Sequence, residues 1–216
     1  MAPVGSEESL AAAISAGADA VYFGIEGLNM RSRSSSNFTL DDMERIARQC
    51  AGAGVRTYLT VNTIIYDSDI EKMHAIVERA HAAGITAIIA TDIATIQYCS
   101  KVGIPVHIST QANISNTEAV RFYAQWADVM VLARELNMEQ VADIHRHIVD
   151  GPILGPDGKP VRLKMFCHGA LCMAVSGKCY LSLHQMNSSA NRGACNQICR
   201  RSYLSLIHIS EPTRRS

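Results

Sequence analysis

The chain has 216 residues, 48% of them apolar and 19% charged, with 20 basic and 20 acidic side chains and a formal net charge of zero. This suits one domain, or one large barrel fragment, with enough apolar mass for a real core. It supplies no overall basic field that would gather nucleic acid, and no stretch approaches the roughly 18 uninterrupted apolar residues of a membrane span. The N-terminus, MAPVGSEESLAAAISAGADAVYFG, has neither a basic n-region nor a long apolar run. A cytoplasmic protein without signal peptide or anchor is expected.

One phrase recurs along the chain: a helix-like run, a small-residue turn, then a short β-rich run. It stands as SAGADAVYFG, AGAGVRTYLTVN, HAAGITAIIATD, CSKVGIPVHISTQ and AQWADVMVLARE. Glycines at 17, 54, 84 and 103 fit the position just past a helix end. The helix TLDDMERIARQCAGA opens on Thr39 as cap with Asp42 three residues on, and DSDIEKMHAIVERAHAAG opens on Asp67 or Ser68. Strands are expected at APVGS, AVYFG, RTYLTVN, AIIATD, VHISTQ, VMVLARE and RLKMFCHG, with DGPILGPDGKP as a surface hairpin before the last. Alternating strands and helices predict a parallel α/β sheet. An incomplete (β/α)8 TIM-type barrel, its first strand clipped and its last βα unit missing, accounts for the count best. A doubly wound open sheet is the alternative, but no glycine-rich dinucleotide fingerprint follows any strand.

Chemistry in a barrel gathers at the C-terminal strand ends. Those ends carry Thr60 and Asn62, Asp92, Ser109, Thr110, Gln111 and Asn113, Arg134 and Glu135, and His168; the loop LNMRSRSSSNF adds Asn29, Arg31, Arg33 and Asn37. Together these suit a pocket for a small anionic ligand, with Arg31 and Arg134 as clamps and Asn62 and Gln111 orienting it. Glu135 and His168 form the acid–base candidate, with Asp92 as an alternative base. His74, His81, His145 and His147 read as helix-surface residues.

Seven cysteines are present, five of them between Cys167 and Tyr203. Cys50 and Cys99 read as buried small apolar residues, and Cys167 as a packing residue on the last strand. The set Cys172-x6-Cys179-x15-Cys195-x3-Cys199 suits four-thiolate ligation of an iron–sulfur cluster, with zinc the alternative, because tight CxxC knuckles are absent. Gly177 and Gly193 allow tight turns beside the ligands, and Arg192, Arg200 and Arg201 place positive charge there. The last stretch breaks every preceding pattern. Leu204 to Arg214 reads as the in-frame translation of a transposase-type sequencing adapter. The domain is therefore expected over 1–203, its cysteine-rich region over 164–203, with 204–216 a non-native tail and the natural protein continuing past Tyr203.

At MFCHGALCMAVSGKCYLS the chain resembles the signature of peptidase family U32, the collagenase-like peptidases. Phe166, Gly169, Ala170, Leu171, Cys172, Gly177, Cys179, Leu181 and Ser182 match, whereas Lys164 stands where the pattern opens on glutamate. The resemblance extends through NMRSRSSSNF, TVNT, HISTQANISN and LARELN. It implies a TIM-type barrel and, despite the peptidase name, RNA hydroxylation: of a wobble uridine in tRNA, or of a cytidine in large-subunit rRNA, with prephenate as the small acid. Other relatives serve ubiquinone hydroxylation. It also implies a 4Fe-4S cluster on Cys172, Cys179, Cys195 and Cys199. The tRNA branch is the expected one. A collagenase-like peptidase and a zinc-stabilised RNA-binding module are the competing functions.

Overall fold

The structure is a computed structural model and describes residues 1–30, 32, 38–167 and 172–202. Seven parallel strands form one sheet in chain order: β1 (Ala2–Pro3), β2 (Ala20–Gly24), β3 (Arg56–Val61), β4 (Ala87–Ala90), β5 (Val106–Ile108), β6 (Val129–Val131) and β7 (Arg162–Lys164). Helices α1 (Glu7–Ser15), α2 (Asp42–Gly52), α3 (Ile70–Ala82), α4 (Ile93–Val102), α5 (Thr117–Tyr123) and α6 (Met138–Asp150) alternate with them, and α7 (Leu181–Met186) follows β7. The sheet curls into part of a TIM-like barrel, and among the described residues no pairing joins β7 to β1.

Strand alternation sorts the side chains onto two faces. Val21, Phe23, Leu59, Ile88, Ile108 and Met130 belong to the main core, together with the helix stripes. Each stripe follows the helical period: Met43, Ile46, Ala47 and Cys50 on α2, and Met73, Ile76, Val77 and Ala80 on α3. Burying each large member stabilises the fold by about 1.5–3 kcal/mol. The concave face holds a separate cluster of Ala20, Tyr22, Tyr58, Ala87 and Ile89.

Caps set the helix starts. Ser6 accepts from Ser9 N at α1, Asn116 from Ala119 N at α5, and Asn137 exchanges hydrogen bonds with Gln140 at α6. Gly17, Gly54, Gly84 and Gly103 all have positive φ, as expected from their place after a helix. Two starts differ from expectation. Thr39 donates to the Asp42 carboxylate from its amide and hydroxyl, but α2 begins only at Asp42, after a turn. Ahead of α3, a 3₁₀ turn occupies Asp67–Asp69, and Asp69 accepts from Tyr66 N.

The strands are shorter than the sequence suggests. In AIIATD, VHISTQ and VMVLARE the strands end at Ala90, Ile108 and Val131, with an isolated bridge from Leu132 to Ile114 beyond the last, and the polar residues that follow bond to loops and caps. The expected hairpin is present, with Leu154 bridging Pro160. No helix among the described residues is long and apolar enough to cross a membrane. The segment from Leu204 lies outside the described residues, as do Arg31, Asn37 and His168.

Candidate functional site at the strand ends

A cavity of about 240 Å³ opens at the C-terminal ends of the strands. Its polar wall joins Thr60 on β3 and Asn62 just after it to Ser109 and Gln111 after β5, and Arg134 after β6. Its apolar wall includes Tyr22, Ile89, Val131 and Phe166. The polar groups hold one another in place. Asn62 Oδ1 accepts from Met30 N at 3.2 Å, and its Nδ2 donates to Ser109 Oγ and Gln111 Oε1, both at 3.3 Å. Ser109 donates in turn to Gln111 Oε1. The Arg134 guanidinium lies 4.9 Å from the Phe166 ring centroid and donates to Ser176 Oγ at 2.8 Å. Arg134 makes no ion pair among the described residues, so its positive charge is available to an anion in the cavity.

Three of the expected binding residues, Asn62, Gln111 and Arg134, thus meet in one pocket. Asn113 sits beside it in a left-handed conformation, and its Nδ2 donates to the carbonyls of Gln111 and Ser176. It ties the pocket wall to the cysteine-rich segment. Asp92 and Glu135 do not line the cavity. Asp92 caps α4 through Ala94 N at 2.9 Å and also accepts from Ile65 N at 3.0 Å, so both carboxylate oxygens are engaged. Glu135 is exposed.

The cysteine-rich segment lies across the same strand ends. Ser32 Oγ donates to the Gly193 carbonyl at 3.0 Å, and Ile64 N donates to the Asn191 carbonyl at 3.2 Å. Arg192 stacks over Tyr66 at 4.0 Å, donates to the Ile64 carbonyl and pairs with Asp69. That guanidinium holds the Asp69 carboxyl below the usual carboxylate range. Gly193 has φ +82°, and a Cβ there would stand 2.2 Å from the Asn29 carbonyl oxygen. Gly193→Ala combines left-handed strain with a backbone clash and is expected to cost on the order of 1–3 kcal/mol. The checks are a lower Tm and faster proteolysis within 172–202; an unchanged profile would mean that this contact does not hold the segment.

All seven cysteines are unpaired. Cys50 and Cys99 are fully buried, as expected, and burial pushes the Cys99 thiol up to about 12. Cys167 is exposed, which corrects its reading as a packing residue: β7 ends at Lys164, before the chain reaches it. Cys172 and Cys199 are exposed, and Cys179 and Cys195 are partly buried. Four free thiols on one segment are the right donors for a thiolate-bound group. Among the described residues, however, no three His, Cys, Asp or Glu side chains are gathered as a ligand set. The donor chemistry fits a cluster; the four thiols are not a preformed cage.

A second polar group had no signal in the sequence. His107 on β5, only 7% exposed, stacks against Tyr58 with centroids 4.7 Å apart. Lys164 Nζ lies 3.3 Å from His107 Nδ1 and 4.6 Å from the Tyr58 ring centroid. Burial, with help from Lys164, Arg162 and Arg56, lowers the His107 pKa to about 3.

The family model for peptidase family U32 matches residues 5–215. A collagenase of Porphyromonas gingivalis (strain W83) is 66% identical over 94% of this chain and 49% of its own length. The tRNA hydroxylation protein P1 of Bacillus subtilis is 31% identical over 94% of this chain and 46% of its own. The 23S rRNA 5-hydroxycytidine C2501 synthase of Escherichia coli is 34% identical over 88% of this chain and 27% of its own. The chain thus spans about half the length, or less, of these curated relatives. In fold it is similar to the solved structure of the U32 peptidase Mk0906, with a TM-score of 0.60 at 13% identity over 76% of this chain and 66% of that one. By the family match and by the length and level of these identities, the chain belongs to peptidase family U32.

Proposed function

We propose that the chain is the barrel portion of an RNA-hydroxylation protein acting on tRNA, at the wobble uridine. In this reading the cavity binds a small organic acid such as prephenate. The observation that carries it is the pocket itself: Arg134, which has no ion-pair partner among the described residues, offers a positive charge beside the neutral donors and acceptors of Asn62, Ser109 and Gln111. A small carboxylate is the ligand such a wall matches. Among the described residues the pocket holds no activated nucleophile and no carboxylate base, which amide hydrolysis would need. RNA is supported by the names of the 31% and 34% identical relatives. Arg200 and Arg201, exposed on the cysteine-rich segment, could meet phosphate.

Cys172, Cys179, Cys195 and Cys199 are the proposed ligands of an iron–sulfur cluster, and binding would have to draw them together. A bound cluster would supply electron transfer beside the pocket. The second reading is a collagenase-like peptidase, favoured by the 66% identity to a protein of that name. One comparison separates them. A strain lacking the gene should lose tRNA hydroxyuridine and regain it with the intact gene, and the purified protein should leave collagen uncut. Unchanged hydroxyuridine, together with collagen cleavage by the purified protein, would establish the peptidase instead.

A further inference from the structure

We propose that Ser176 is the positioning residue for the cavity's arginine, and that through it a small carboxylate bound in the cavity fixes the segment carrying Cys172 and Cys179. The inference rests on the reading of the cavity as an organic-acid site.

The segment 172–180 meets the barrel at Ser176 and Gly177. Ser176 is 4% exposed, while Met173, Val175, Lys178 and Tyr180 around it lie exposed. The attachment is thus polar and directional, not apolar. Ser176 Oγ accepts from Arg134 Nη1 at 2.8 Å, and the Ser176 carbonyl accepts from Asn113 Nδ2 at 2.7 Å. Among the described residues, the hydrogen bonds that join 172–180 to the barrel both fall on this serine. Gly177 has φ +75°, and a Cβ there would stand 3.1 Å from Gln111 Cβ and 3.3 Å from the Gln111 carbonyl oxygen. Asn113 Nδ2 also donates to that carbonyl, at 3.1 Å. Arg134 and Gln111 both line the cavity. The foothold of the segment is therefore the cavity wall itself.

That foothold acts on the arginine as much as on the segment. A guanidinium presents five N–H donors in a fixed plane. Here Nη1 is engaged by Ser176 and the group lies over the Phe166 ring, which together fix its orientation. The remaining donors are left for a carboxylate. An arginine held in this way loses less freedom on binding than one that swings, so the acid binds more tightly. The reverse follows by linkage: an acid that favours the held arginine favours the docked serine by the same factor. Cys172 stands four residues before Ser176 and Cys179 three after it. Two of the four proposed thiol ligands thus ride on the stretch that the acid orders, before any metal arrives.

The test uses the full chain without added metal, with prephenate as probe. Calorimetry reads affinity, and hydrogen exchange reads order at the Lys178 amide, which donates to the Val175 carbonyl across Ser176 and Gly177. Saturating prephenate should slow exchange there on the order of tenfold in the wild type and leave α3 unchanged. Ser176→Ala should bind on the order of tenfold more weakly and lose the acid-dependent slowing. Arg134→Gln should lose both, and adding Ser176→Ala to it should cost no further affinity. A merely structural serine would loosen the segment equally with and without acid and leave affinity alone, and that result overturns the coupling. Prephenate that binds the wild type with exchange unchanged or faster also overturns it, while the acid reading stands; this comparison needs no variant to fold. If prephenate does not bind the wild type, both fail.

Discussion

Replacing Cys172, Cys179, Cys195 and Cys199 together by serine is expected to abolish iron binding and, with it, the brown colour of anaerobically purified protein. A hydroxyl is a far weaker ligand than a thiolate for iron in such a cluster, so the loss should be complete. The effect should be specific to these four. Cys50 and Cys99 are wholly buried among core residues, and burial raises both thiols, so neither offers a thiolate. Cys50→Ala should therefore keep full iron content. The exposed Cys167 makes the sharper control, because it lies five residues from Cys172; Cys167→Ser should also keep the colour. Colour retained in the fourfold variant would refute the ligand assignment. Colourless wild-type protein with stoichiometric zinc would replace iron by the other thiophilic metal. Since the four thiols are not gathered, loading should also protect 172–202 from proteolysis, a readout independent of activity.

The barrel was legible because two local signals repeat in phase. A left-handed glycine ends each of several helices, and a short β-branched strand follows. Where the signals stop repeating, legibility fails in a particular way. Polar residues after each strand look like strand continuations, yet Asp92 turns to cap α4 and Thr110–Ala112 coil into a 3₁₀ turn. The pocket residues Asn62, Gln111 and Arg134 were readable from their place at strand ends. The Arg134–Ser176 hydrogen bond was not, because the two residues stand 42 positions apart and no pattern links them. The same holds for Tyr58, His107 and Lys164. His107 looks like a single polar interruption of its strand, Tyr58 and Lys164 like one polar residue among others in theirs, and only the register of β3, β5 and β7 brings them together. Sequence periodicity tells which face a side chain takes, while strand register decides whom it meets.

That buried triad is expected to make the fold sensitive to acid well above the range where carboxylates titrate. His107 has a folded pKa near 3, below the ordinary histidine value of 6.5. The unfolded chain therefore binds the proton more readily than the folded one in between. The neutral-His contribution is fully present above about pH 6.5 and is lost as pH falls toward 3. Between pH 6.5 and 5 the loss amounts to about 2 kcal/mol, at 1.36 kcal/mol per unit. Lys164, with a pKa of about 8, is protonated on both sides of unfolding in that window and adds no slope there. Asp42 and Asp69, held below the usual carboxylate range by Arg45 and Arg192, act only at still lower pH. Denaturant melts of the wild type and of His107→Gln, from pH 7 to pH 5, read the difference directly. The wild type should lose midpoint steadily across the window. The variant keeps an acceptor for Lys164 but has nothing to protonate, and its midpoint should stay nearly level. Parallel slopes would show that the acid sensitivity lies elsewhere and that His107 charges without cost, which its contacts with Lys164 and Tyr58 argue against.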